Sequence, residues 1–86
     1  MAYKVNVTDI FADWFAEQEE ALQNRTTVLI NLLMEEGPRL GRPHADTLLG
    51  SKLSNLKELR VQHKGEPYRI LFAFDPRRGF TFTGWQ

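Results

Sequence analysis

The stretch from Asn55 to Asp75 constrains this chain more than any other. It reads as two short runs around a turn, Leu56 to His63 and Pro67 to Asp75, with Gly65 and Pro67 as punctuation between them. Glycine and proline between two alternating runs are the signature of a hairpin connection. Successive side chains of a strand point to opposite faces. Lys57, Leu59, Val61 and His63 therefore share one face of the first run, and Leu56, Glu58, Arg60 and Gln62 the other. In the second run Arg69, Leu71 and Ala73 share a face opposite to Tyr68, Ile70, Phe72 and Phe74. A sheet carrying basic groups beside an aromatic is suited to a phosphate backbone.

The flanking sequence supplies what such a hairpin packs on. Residues 2–7 alternate, with Tyr3, Val5 and Val7 on one face, and predict a strand with one buried side. Thr8 or Asp9 can cap a helix, because a short side-chain oxygen accepts a free backbone N–H. Ile10, Phe11, Trp14 and Phe15 follow at helical spacing and predict core packing. A boundary near Glu17 to Glu20 lacks glycine and proline, so the spacing leaves open a bend or a restart. The acidic cluster there predicts a solvated helix junction.

A second helix is expected over about 19–36. Leu22, Leu29 and Leu33 stack along it, with Val28 and Leu32 beside them, and Gly37-Pro38 ends it. Residues 39–54 predict a loop with a basic cast from Arg39, Arg42 and Lys52. Its Gly50-Ser51-Lys52 is too little for a phosphate-binding loop. His44 reads as a surface histidine. Asp75-Pro76-Arg77-Arg78-Gly79 predicts a second turn, and Phe80 to Trp85 a last alternating strand. The order strand, helix, helix, strand, strand, strand predicts an α+β fold, a small antiparallel sheet packed against a helical hairpin.

At 86 residues the chain is expected to form a single domain over 1–86. It has no apolar run of the ~18 residues that a membrane span needs and no signal-peptide pattern, so no membrane partner and a cytoplasmic location are expected. Without cysteine, thiolate metal sites are excluded, and two separated histidines do not suggest zinc. No metal and no cofactor are expected. Net charge is zero but unevenly placed. Residues 1–36 hold two basic and seven acidic side chains, and residues 37–86 hold nine basic and four acidic. A basic half suits an anion, most simply RNA; opposite charges that meet within the fold are the plainer reading.

Nucleophile motifs are missing: no Gly-x-Ser-x-Gly, no cysteine, no spaced Ser/His/Asp set. Phosphoryl chemistry on RNA has residues to support it, since the RNA 2′-hydroxyl can be the nucleophile. The protein then supplies a proton acceptor, cations for the developing charge and a proton donor. Arg60, Arg69 and Lys57 can supply charge, Glu58 or His63 can act as base or acid, and Tyr68 can stack on a base. Each also has a structural reading. Arg60 and Glu58 can pair along the sheet, Tyr68 can be core, and Lys57 and Lys64 can serve solubility.

Several segments together resemble a known family: Leu40-Gly41-Arg42-Pro43, Asp46-Thr47-Leu48, Gly50-Ser51, Asn55-Leu56-Lys57-Glu58-Leu59-Arg60, and Tyr68-Arg69-Ile70-Leu71-Phe72-Ala73-Phe74-Asp75-Pro76-Arg77-Arg78. The chain resembles the phage-derived HigB-like toxins of the RelE/ParE superfamily over nearly its whole length. The resemblance implies a RelE-like fold and the toxin half of a type II toxin–antitoxin pair. It implies a ribosome-dependent endoribonuclease that cuts messenger RNA without a metal and is neutralised by a helix-turn-helix antitoxin. It carries Arg60 and Arg69 over as phosphate-binding residues that stabilise the transition state, followed by Glu58 and Lys57. Lys64, Tyr68, His63, Arg77 and Arg78 complete the expected RNA-binding set. The alternatives are a non-catalytic protein-binding module and a ParE-like toxin acting on gyrase.

Family members continue past the position of Trp85 with a glycine-rich, lysine-containing segment and a C-terminal helix, whereas this sequence stops at Gln86. Inactivity through truncation, and a homodimer through an exposed sheet edge, are the expectations that follow.

Overall fold

The computed structural model describes residues 3–47 and 56–85. Strand β1 (Val5–Val7) leads into helices α1 (Asp9–Ala16) and α2 (Glu20–Glu36), then a short 3-10 turn, Gly37–Arg39. Strands β2 (Ala45–Thr47), β3 (Leu56–His63), β4 (Glu66–Asp75) and β5 (Gly79–Trp85) follow. The five strands form one sheet in the order β1-β5-β4-β3-β2. From β2 to β5 all pairs are antiparallel, while β1 lies parallel to β5, so the sheet is mixed.

The α+β architecture, the helical hairpin and the central β-hairpin agree with the sequence reading, down to the bounds of β3. The hairpin turns on Lys64 and Gly65, both at positive φ (52° and 79°). Two such residues match the twist of the flanking strands, and glycine takes that conformation without a Cβ penalty. Gly79 is at φ 86°, where a Cβ would run into the Lys4 carbonyl. That close approach lets the Phe80 amide donate to Lys4 at 2.8 Å and brings β1 beside β5.

Helix α1 is capped by Thr8, whose Oγ1 accepts from the Phe11 amide. The unclear boundary after it is a true break. The Gln18 and Gln23 side-chain amides donate to the Trp14 and Phe15 carbonyls (2.9 and 2.8 Å), so two carbonyls at the end of α1 are satisfied without glycine or proline.

Both helices cover one face of the sheet. Phe11, Trp14, Leu22 and Leu33 bury against Leu59, Val61, Ile70, Phe72, Phe80 and Phe82. Aromatic rings meet at 5.4 Å (Phe11–Phe82) and 5.7 Å (Phe72–Phe80).

Four expectations need correction. Residues 45–47, expected as loop, form β2. They gain their ladder only from β3, which no local signal announces. The buried side expected of the first strand is incomplete, because β1 is an edge strand and Val7 stays exposed. Ile10 and Val28 are also exposed, outside the core stripes of their helices. Glu19 does not sit in a merely solvated junction but binds the hairpin turn, as described below. The Gly50-Ser51-Lys52 segment lies outside the described residues.

Candidate functional site

The sheet face opposite the helices carries the chemistry. In the β3–β4 register Arg60 stands directly across from Arg69. Like charges directly opposite on a sheet destabilise it. Here Glu58 relieves the conflict. It sits two residues before Arg60, on the same face, and its side chain is only 7% exposed. Its Oε2 lies 3.3 Å from Arg69 Nε and 3.6 Å from Arg60 Nε. These are ion-pair distances, yet that oxygen takes no directed hydrogen bond from either guanidinium. A buried carboxylate oxygen with free acceptor capacity thus sits between two partly exposed arginines.

Strand β2 extends this row. Asp46 pairs across from Glu58. Its Oδ2 accepts from Arg60 Nη2 at 3.3 Å and from Arg42 Nε at 2.8 Å, and its Oδ1 accepts from the Thr47 amide at 2.8 Å. The Arg42 hydrogen bond, then that of Thr47, hold the Asp46 carboxyl below the usual carboxylate range. Arg69, Glu58, Arg60, Asp46 and Arg42 form an alternating row of charges with three guanidiniums and two carboxylates.

The other expected site residues are placed elsewhere. Lys57 lies across from Phe72 on the helix-covered face, and its Nζ reaches the Pro38 carbonyl at 3.4 Å. His63 is buried on that face too, where its Nε2 meets Glu19 Oε1. Lys64 Nζ reaches the same Glu19 carboxylate at 3.0 Å. The His63 and Lys64 hydrogen bonds lower the Glu19 carboxyl. Tyr68 packs between Trp14 and His63, with ring centroids 6.4 Å from each. Arg77 and Arg78 are exposed on the β4–β5 turn, six or more residues along β4 from Arg69. At about 3.3 Å per strand residue that separation is on the order of 20 Å. The structure therefore brings Arg60, Arg69 and Glu58 together and leaves Lys57, His63, Lys64, Tyr68, Arg77 and Arg78 outside their cluster.

Sequence reasoning left Arg42 and Asp46 out of the site. Their four-residue spacing could have signalled an ion pair, but the span read as loop. A groove of about 510 Å³ opens beside Arg60, between α2 and β3, lined by Val28, Leu29 and Pro43 among others. Among the described residues no three His, Asp or Glu side chains converge as a metal site would require.

Chemically, the row can bind an anion along the guanidiniums and accept a proton at Glu58. Fixed cations aimed at developing phosphorane charge lower its energy most when they are already in place.

Comparison with known proteins gives this arrangement a context. The profile of the family described as "Phage derived protein Gp49-like" matches residues 13–83. A Mycobacterium tuberculosis protein, the candidate toxin HigB2, is 56% identical over 50 residues, 57% of this chain and 25% of its own length. A second candidate toxin of that organism, HigB3, is 46% identical over 65 residues, 76% of this chain and 55% of its own. The chain thus spans about a quarter and about half of these two relatives. In the crystal structure of the intact Escherichia coli RelBE toxin–antitoxin complex, one chain superposes with a TM-score of 0.74 at 10% identity. The match covers 98% of this chain and 94% of that one, and shows a shared fold.

Proposed function

This chain belongs to the phage-derived Gp49-like family, and on that premise we propose that it is the toxin of a type II toxin–antitoxin pair. Its activity in this reading is ribosome-dependent cleavage of messenger RNA. The observation that carries the reading is Arg60 facing Arg69 across β3 and β4 with the buried Glu58 between them. Two cations set opposite each other, a pairing that would destabilise the sheet without the carboxylate beside them, are explained if both serve an anionic substrate.

In the proposed reaction the 2′-hydroxyl attacks the adjacent phosphorus. A bond forms from the 2′-oxygen to phosphorus, and the bond from phosphorus to the 5′-oxygen breaks. Glu58 accepts the 2′-hydroxyl proton. Arg60 and Arg69 hold the non-bridging oxygens as negative charge gathers there, and the departing 5′-oxygen takes up a proton from solvent water. The products are a 2′,3′-cyclic phosphate and a 5′-hydroxyl. A protein antitoxin would silence the site by covering it.

The test is to express the chain briefly in a bacterial host and map messenger RNA ends. New cuts within translated messages, ending in cyclic phosphate, are expected. Arg60→Ala and Arg69→Ala should each reduce cutting by roughly 10²- to 10³-fold, the usual effect of losing one transition-state donor. Intact messages with gyrase-dependent DNA breaks would replace this reading with the gyrase-directed one. Full cutting by both variants would move the site elsewhere.

A further inference from the structure

The row of charges does not end at the two arginines that face each other. Arg60 is a long side chain on a strand near the sheet edge, 39% exposed, and in its own strand only Glu58 approaches it, 3.6 Å from Nε and without a directed hydrogen bond. Asp46 fixes the far end of its guanidinium. One carboxylate oxygen, Oδ2, is shared between Arg60 Nη2 and Arg42 Nε. The other oxygen is tied to the Thr47 amide, so the carboxylate is oriented by the backbone of β2 rather than free to rotate.

The backbone is itself well anchored. Ala45 beside Asp46 is 1% exposed in the core. The His44 and Ala45 amides both donate to the Gly41 carbonyl (3.1 and 3.0 Å), and the Arg60 amide donates to the His44 carbonyl at 2.7 Å. A strand of three residues in a proline- and glycine-rich span thus has one evident use on the open face: it presents Asp46 across from Glu58. Arg60 is then held by carboxylates from two sides. Of its five N–H donors, those aimed at neither carboxylate stay available for a phosphate. Arg42, 76% exposed, would otherwise be a freely moving surface side chain.

We propose that Asp46 is a positioning residue that holds Arg60 and Arg42 as one phosphate-binding unit, making Arg42 a third cation on the RNA path. The proposal rests on the endonuclease reading above. Asp46 itself repels phosphate, so removing its charge while keeping its shape separates orientation from attraction. A residue that merely balanced charge would, when neutralised, leave catalysis intact and tighten RNA. A positioning residue, when neutralised, slows the chemical step without weakening binding.

The experiment compares the full chain with Asp46→Asn and Arg42→Ala. Three quantities are read: the Nε–Hε NMR signals of Arg42 and Arg60, affinity for a single-stranded RNA oligonucleotide across a salt series, and single-turnover cleavage on ribosomes carrying a message. In the unsubstituted chain both arginines should give distinct, slowly exchanging signals, and in Asp46→Asn both should lose that character. RNA affinity should hold or rise, and cleavage should slow about 10-fold or more, since small misplacements of catalytic groups cost this much. In Arg42→Ala the salt slope of RNA binding should fall by about 0.7, the loss of one phosphate contact on a single strand. Arginine signals unchanged in Asp46→Asn, or cleavage at the unsubstituted rate, would overturn the positioning role. An unchanged salt slope in Arg42→Ala would remove Arg42 from the path. If the arginine signals respond as expected but the unsubstituted chain cuts no message, the positioning of the cations stands and the endonuclease reading falls.

Discussion

The two faces of the β3–β4 hairpin are built from alternate residues of the same two strands, yet they differ in almost every physical respect. On one face Leu59, Val61, Ile70 and Phe72 are 0–1% exposed beneath the two helices. On the other, the partly exposed Arg60 and Arg69 face each other with the buried Glu58 beside them, joined to Asp46 across β3 and β2. One face holds apolar surface out of water and so stabilises the fold. The other gathers three guanidiniums and two carboxylates into one row. Because strand side chains alternate strictly, residue parity separates stability from chemistry, and a substitution should disturb mainly one of the two.

The largest effect is expected on the covered face. Phe82→Ala removes a fully buried ring that packs on Phe11 and Phe72. It should cost about 3–5 kcal/mol, a large part of the total stability of a domain this size. Urea unfolding measures it, with Arg69→Ala as the partner measurement. That second change removes a half-exposed guanidinium, and the buried Glu58 keeps Arg60 3.6 Å away, so its midpoint should fall far less than that of Phe82→Ala. A comparable loss in both would mean that the open face is also structural, and the division by parity would fail.

Glu58→Gln comes next and sharpens the contrast, because Glu58 is the one buried member of the open face. The amide keeps the volume but cannot take a proton. Cleavage should fall roughly 10²-fold or more while the folded state persists, as its circular dichroism would report. Cleavage at the unsubstituted rate would remove Glu58 as base.

The smallest effect separates the two faces by pH. Glu19 tethers the hairpin turn through His63 and Lys64, and Asp46 sits in the open-face row; both carboxyls are lowered from their ordinary values of 4.5 and 3.8. A lowered carboxyl binds protons less readily when folded than when unfolded. Its stabilisation is therefore fully present above the ordinary value and lost as pH falls through the folded value. Acid titration of thermal unfolding should show both losses. Glu19→Gln should remove the one that begins near pH 4.5 and leave the Asp46 contribution at lower pH. An unaltered acid profile would mean that the tether contributes nothing.

Much of this molecule is legible in the chain because the forces that shape it are local. The alternation in residues 56–63 and 67–75, the turn at Gly65, the Thr8 cap and the stop at Gly37 depend on neighbours a few residues away. So does the placing of Arg60 and Glu58 on one strand face. The faces of the two runs were also readable, yet their registration was not. Alternation alone does not say that Arg69 stands opposite Arg60, or that Lys57 and Tyr68 turn toward the helices and leave the charged cluster.

What the sequence by itself determined is an α+β chain, two amphipathic helices against an alternating hairpin, and a basic half carrying Arg60 and Arg69. Tertiary structure alone decided that β1 runs parallel to β5, since their pairing spans more than seventy residues and no local pattern encodes it. It alone turned residues 45–47 into a strand and set Asp46 opposite Glu58, and it alone brought the half-exposed Glu19 carboxylate onto His63 and Lys64. The physical reason is common to all three. A hydrogen-bond ladder or an ion pair between segments apart in sequence must offset the entropy cost of closing the loop between them, and no local pattern in the chain records whether it does.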